Sequence, residues 1–452
     1  MPDHGIVDGG PPTTRSADLH VPLRGSLVFV LAMLFIVNVF NFIDRQIPFI
    51  LADSIKRDLH LTDTQLGLLG GVAFAVVYST MALPLARIAD RWSPKWVMVG
   101  SLSVWCLLTT FSGAAQNFTQ LVAARVGVAV GEAGSTPSAH AIISSMLPAN
   151  RRAMAIGVFS FGVSAGGMLG LILGGWIHDI ANWRIALISV GLPGLLFAGL
   201  FALTVPNVRS RVAAEPARSM FEAARELFAF RSYRHLWFAI TVFGVGIYAD
   251  YTFHALFFLR TYHLSPGQAG LWLGLSGGVV GIAGSLGGGW LADRVARMHP
   301  ERVLWLPAGA FALAAPLHII ALMAPTPALS ILIGAPAGMA GVFYLAPSFS
   351  VAQKLATGRS RATASAILLF GLSLVGASLG PFLVGFASDL LQARFGAYTL
   401  RFVLCGSSLF YLWAVAHLAI ASFALRKDLQ QAQARDAAEG LVPVTAPAAA
   451  GI

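Results

Sequence analysis

A chain of 452 residues that is 56% hydrophobic and only 11% charged, at a mean hydropathy of +0.73, has too little polar surface to coat a water-soluble globule. Its net charge of +10 needs no nucleic acid, because basic loops beside an anionic membrane leaflet account for it. Two cysteines, Cys106 and Cys405, fall in separate apolar runs and match no metal spacing, so packing is their expected role and no metal or cofactor is expected.

Residues 1–24 are polar, with no apolar core ahead of a cleavage site, and read as a disordered cytoplasmic tail rather than a signal peptide. Twelve apolar runs of bilayer length follow: 26–52, 64–86, 96–115, 119–146, 153–177, 183–205, 235–260, 267–291, 303–324, 327–351, 362–389 and 399–425. The linker 206–234 separates the sixth from the seventh. Within it, Met220, Phe221, Leu227 and Phe228 alternate with Arg218, Arg225 and Arg231, the pattern of a basic amphipathic helix lying on the inner leaflet. Residues 427–452 lack apolar periodicity and read as a second disordered cytoplasmic tail. With both termini cytoplasmic, 22 of the 30 Lys and Arg fall in cytoplasmic segments, which orients a multi-pass protein in an inner or plasma membrane.

The chain repeats itself. Adding 210 carries Gly131 to Gly341, Pro137 to Pro347, Ser138 to Ser348, Arg151 to Arg361, Gly166 to Gly376, Gly170 to Gly380, Gly175 to Gly385 and Asp179 to Asp389. At an offset of 203, Ala89-Asp90-Arg91 maps onto Ala292-Asp293-Arg294. The expected fold is therefore all-α: twelve transmembrane helices in two pseudo-symmetric six-helix bundles, 25–205 and 235–426, with a substrate site at their interface near the bilayer midplane.

Four charges break the apolar pattern: Asp44 and Arg45 in the first span, Arg125 and Glu132 in the fourth. A charge in hydrocarbon persists where it faces a partner or an aqueous cavity, which makes this set the candidate working site. Arg125 and Glu132, seven residues apart, share one helix face, and Asp44 lies deep enough to meet Arg125. Their repeat partners are Ala335 and Val342, so coupling chemistry is assigned to the N-terminal half and apolar substrate contact to the other. Glu132 or Asp44 is expected to take a proton from the gradient, freeing Arg45 or Arg125 for an anionic head group. Asp250 and His254, one turn apart in the seventh span, form a weaker titratable pair, with Asp250 loosely matching Asp44 at an offset of 206; His318 and His417 look isolated. No nucleotide-binding loop is present, and no nucleophile or metal cluster accompanies Glu132, so an enzyme is a distant alternative to a transporter.

The stretch Ala86-Arg87-Ile88-Ala89-Asp90-Arg91-Trp92-Ser93-Pro94-Lys95 resembles the loop between helices two and three of the major facilitator superfamily, lacking both glycines and the middle Arg. Asn41-Phe42-Ile43-Asp44-Arg45 and Arg125-Val126-Gly127-Val128-Ala129-Val130-Gly131-Glu132-Ala133 are similar to the Spinster branch. The resemblance implies a monomeric, proton-coupled transporter of lysophospholipids or sphingosine-phosphate-like lipids. Asp44, Arg45, Arg125 and Glu132 would occupy coupling and binding positions, and Asp90, Arg91, Asp293, Arg294, Arg151 and Arg361 would form a cytoplasmic gate. A facilitator for a small organic or sugar-phosphate anion, or for a drug-like amphiphile, is the alternative.

Overall fold

The computed structural model describes residues 24–208, 220–357 and 360–438. In hydrocarbon every backbone amide must find its partner within the segment, and the described residues are accordingly helical. The N-terminal bundle comprises Arg24–Ile50, Asp63–Gly70 with Val72–Arg91, Pro94–Ser112, Phe118–Ala133 with Ser135–Met146, Ala149–Ile180 and Trp183–Thr204. The C-terminal bundle comprises Arg231–Tyr262, Pro266–Met298, Trp305–Met323, Pro327–Phe343 with Leu345–Leu355, Arg361–Phe370 running through a π-helical turn into Ala377–Phe395, and Thr399–Ala438. Among the described residues nine helical stretches are long and apolar enough to cross a membrane, one of which, Thr363–Ala438, contains two spans around the turn Gly396–Tyr398. The third and fourth spans complete the twelve.

The internal repeat has a structural meaning at the end of the molecule remote from the linker, the distal end. There the second span packs on the eleventh and the fifth on the eighth, joining the halves through two related seams. Thr62 and Ser265, 203 apart, each open a helix with a capping box closed by Gln65 and Gln268. Asp389 accepts from the Asp63 and Thr64 amides at 2.9 and 2.7 Å; its repeat partner Asp179 accepts from the Ser265 hydroxyl and the Gly267 amide at 2.5 and 3.0 Å. A Cβ on Gly67 would collide with the carbonyl of Pro381, and one on Gly270 with that of Leu171. Five of the eight repeat identities lie on the fifth and eleventh spans, and four of them, three glycines and the aspartate, fall where these seams and the contacts with the first and seventh spans demand small residues or caps.

Towards the linker end the halves part. The fifth–eighth seam loosens so that a Cβ on Gly281 would come no nearer than 3.9 Å to Ser164 Oγ, and one on Gly157, Gly287 or Gly289 would meet nothing within 4 Å.

Two expectations need correction. The twelfth helix does not stop at residue 426: it continues to Ala438, because the buried Asp428 carboxylate caps the seventh span at the Ser232 amide (2.6 Å) and Arg435 pairs with Glu226 at 2.5 Å. The linker helix is Met220–Ala229, and the seventh span starts at Arg231 rather than 235. Ala223, Leu227 and Phe228 of the linker helix pack on the C-terminal bundle, while Phe221 is 79% exposed. The tails 1–23 and 439–452, and linker residues 209–219 including Arg218, lie outside the described residues.

If the seams close the distal end by backbone contact, Gly67→Val with Gly270→Val should pry it open. Overpacking costs about 1–3 kcal/mol, a population shift of roughly 5- to 150-fold. Electron–electron resonance between spin labels at the exposed distal positions Gln116 and Ala397 should show longer distances; an unchanged distribution would refute the seam.

Candidate functional site

The first and fourth spans bring the four charges together. Asp44 is 1% exposed and Glu132 fully buried, whereas the Arg45 side chain keeps 23% of its surface open to the cleft. Arg45 Nε donates to Glu132 Oε2 at 2.6 Å, and Arg125 Nη1 lies 3.5 Å from Asp44 Oδ2. Each acid thus meets an arginine from the other span, and the quartet is neutral overall. Thr109 of the third span donates to Asp44 Oδ1 at 2.5 Å. Glu132 Oε1 is buried without a hydrogen-bond donor, and Asp44 Oδ2 has no hydrogen bond beyond its 3.5 Å ion pair with Arg125.

Aromatic rings from the second span complete the site. The Arg45 guanidinium lies 4.5 Å from the Tyr78 ring centroid, 5.0 Å from that of Phe74 and 5.1 Å from that of Phe42 in its own span, and the Arg125 guanidinium lies 5.5 Å from the Phe74 centroid. Beyond Arg125 towards the distal end is an apolar cavity between the halves, walled by Pro48, Phe49, Leu69, Thr252 and Phe253.

Charge seals the distal end above that cavity. Arg260 of the seventh span grips Asp63 with both terminal nitrogens at 3.0 Å and reaches Asp53 at 3.2 Å; Lys56 and Ser388 add bonds to Asp63 at 2.6 and 2.7 Å. By contrast Asp90, Arg91, Asp293 and Arg294 stand exposed at the linker ends of the second and eighth spans, and Arg151 and Arg361 stand exposed at the starts of the fifth and eleventh. Among the described residues none of the six makes an ion pair. The observed state is closed distally and open at the linker end.

Asp250 and His254 are bonded at 2.9 Å, but His318 is not isolated: it bonds the same Asp250 oxygen at 2.9 Å and Ser408 at 3.0 Å. His417 likewise meets His235 at 2.9 Å. Both partnerships join spans far apart in sequence. The match of Asp250 to Asp44 also shifts, because backbones touch at Gly170–Ile43 and Gly380–Val245; that offset of 202 sets Asp250 level with Pro48. Val342, expected to offer an apolar wall to substrate, packs on Gly284 of the eighth span.

Sequence reasoning missed Thr109, Phe74, Tyr78 and the Asp63–Arg260 lock. The related capping boxes at Thr62 and Ser265, combined with the Asp179/Asp389 identity, were the available signal for the lock's position.

Two related six-helix bundles around an ion-bearing cleft, closed at one end and open at the other, define a secondary transporter. The chain belongs to the Major Facilitator Superfamily, whose profile matches residues 34–381. It is 36% identical over 428 residues to an MFS-type efflux pump of Mycolicibacterium smegmatis, covering 92% of this chain and 97% of that one. It is 29% identical to the spinster protein of Drosophila melanogaster over 209 residues, 46% of this chain and 34% of that one. The crystal structure of a bacterial homologue of the human lysosomal transporter Spinster, inward-facing and unoccupied, superposes with a TM-score of 0.82 at 28% identity, covering 90% of this chain and 99% of that one. These relatives are transporters, not enzymes.

Two outcomes test the site. Arg260→Ala leaves the Asp63 carboxylate buried without its main partner, a loss of about 3–5 kcal/mol. The variant should lengthen the distal Gln116–Ala397 label distance, and no change would remove Arg260 from the closure. In a double-mutant cycle, Arg45→Met and Glu132→Leu should each lower thermal stability, while the double variant recovers much of the loss; additive losses would mean that the two side chains do not interact.

Proposed function

We propose that this chain is a proton-coupled secondary transporter of an amphipathic anion, a lysophospholipid or sphingosine-phosphate-like lipid, working by alternating access. The observation that carries the reading is the buried pair of acids, Glu132 with its Oε1 lacking a donor and Asp44 with its Oδ2 held only by a 3.5 Å ion pair with Arg125. A proton on either carboxyl removes one negative charge from a neutral set. The surplus positive charge then resides on Arg45, the member open to the cleft. Its paired donors suit a phosphate or carboxylate head, with Arg125 as a second anchor and the apolar cavity beside it taking hydrocarbon.

The Lys and Arg bias makes the linker end cytoplasmic, with both termini inside an inner or plasma membrane. In this orientation the observed state opens to the cytoplasm. When the distal lock releases, Asp90, Arg91, Asp293, Arg294, Arg151 and Arg361 close the cytoplasmic side. The chain acts as a monomer among membrane lipids, drawing on the proton gradient rather than a cofactor. A second reading, export of drug-like amphiphiles, is favoured by the similarity to the mycobacterial efflux pump.

Proteoliposome flux across a panel of lysolipids, organic anions and cationic dyes, with and without a pH gradient, tests both. Wild-type protein should move lysolipid faster under a gradient. Glu132→Gln should lose that stimulation while keeping its size-exclusion profile. Normal coupling in this variant would sink the proton assignment, and dye flux without lysolipid flux would replace the lipid reading by the efflux one.

A further inference from the structure

Apart from the quartet, three titratable side chains converge inside the C-terminal bundle. His254 Nδ1 and His318 Nε2 each lie 2.9 Å from the same oxygen, Asp250 Oδ1, so both imidazoles donate an N–H to it. His318 turns its other nitrogen to Ser408 Oγ of the twelfth span, and its ring faces Tyr411 at 5.9 Å. His254 rests against Phe257 and Phe258, and Tyr248 and Tyr251 lie on the same seventh span. Arg401, from the start of the twelfth span, covers the Phe257 ring at 5.9 Å and makes no ion pair with Asp250. The side chains of Asp250, His254 and His318 keep only 18%, 29% and 7% of their surface open.

With both rings neutral this cluster carries one negative charge in a low-dielectric interior, which is unfavourable. The other inward-facing acids, Asp44, Glu132 and Asp63, each have an arginine whose charge is permanent. Asp250 has no Lys or Arg partner among the described residues, only two groups whose charge is optional and which titrate near pH 6.5 in water. A single proton on either ring neutralises the cluster, and the shared oxygen stabilises the imidazolium whichever ring carries it. The two halves use related scaffolding: Asp44 is held by the third span through Thr109, and Asp250 by the ninth through His318.

We propose that Asp250, His254 and His318 form a second proton-binding site, in the C-terminal bundle, loaded independently of Asp44 and Glu132. The site sits where it can bear on conformation. On the same helix, Tyr251 packs edge-on against Phe49 of the first span at 5.9 Å, Thr252 abuts Gly70 of the second, and Arg260 holds the distal lock. Loading a proton changes the charge held against the seventh span, which carries these three contacts with the other half.

The test uses full-length protein in nanodiscs, with Cys106 and Cys405 replaced by Ala and spin labels at Gln116→Cys and Ala397→Cys. In an Asp44→Asn, Glu132→Gln background, where the first site cannot titrate, the distance distribution should still shift between about pH 5 and 8. Adding His254→Gln and His318→Gln should remove the shift. If the double histidine variant fails size-exclusion, His254→Gln alone, which keeps the Asp250–His318 bond, should displace the midpoint. The proposal is overturned if the background variant shows no pH response, or if the response survives loss of the histidines. It is also overturned if elemental analysis finds a stoichiometric transition metal that His318→Gln releases. Flux coupling through Glu132 is a separate readout, so either site can fail alone.

Discussion

Charges placed in hydrocarbon must cancel within a few ångströms, and that requirement organises the N-terminal half. Arg45 sits between Glu132 and three aromatic rings, and Arg125 sits between Asp44 and Phe74. Each pair crosses from the first span to the fourth, so these helices hold their relative depth and rotation through ions as well as packing. A neutral set tolerates burial; the same set with one charge removed does not, unless another charge arrives. Proton binding and anion binding are thereby linked by electrostatics before any helix moves.

The frame around this set follows from repetition. Each half supplies one helix with an aspartate in its distal part and one helix opening on a capping box, and each pairs with its counterpart across the interface. Glycines allow backbone to touch backbone there, giving close contact without large side chains to interlock. The seventh span stands outside this symmetry. It carries Arg260, which draws Asp53 and Asp63 of the opposite half into one network.

Much of this was legible in the sequence for physical reasons. Twelve apolar runs, two halves and four misplaced charges are properties of composition and spacing, and helix rise sets Asp44 and Arg125 at matching depth, so that they meet once the first and fourth spans adjoin. The Arg45–Glu132 bond, the aromatic platform of Phe74 and Tyr78, and the histidines gathered on Asp250 depend on how helices rotate against one another, which hydropathy does not encode. The helical extension to Ala438 was missed for a different reason. Its sequence has little amphipathic pattern, and its stability comes from single polar contacts, Asp428 on Ser232 and Arg435 on Glu226. The seven-residue change of offset between the halves was visible, but only contact geometry fixes where the first and seventh spans align.

The twin carboxylate caps carry a consequence for the motion itself. Asp179 and Asp389 are bolts on opposite jambs of one door, and each, once drawn, forfeits its hydrogen bonds to the opposite half, the Ser265 hydroxyl and Gly267 amide for one and the Asp63 and Thr64 amides for the other. Drawing one bolt while the other stays thrown would incur that penalty without admitting a solute. Half-open forms are thus sparsely populated, and the passage swings as a single leaf, all at once, rather than unzipping from one edge.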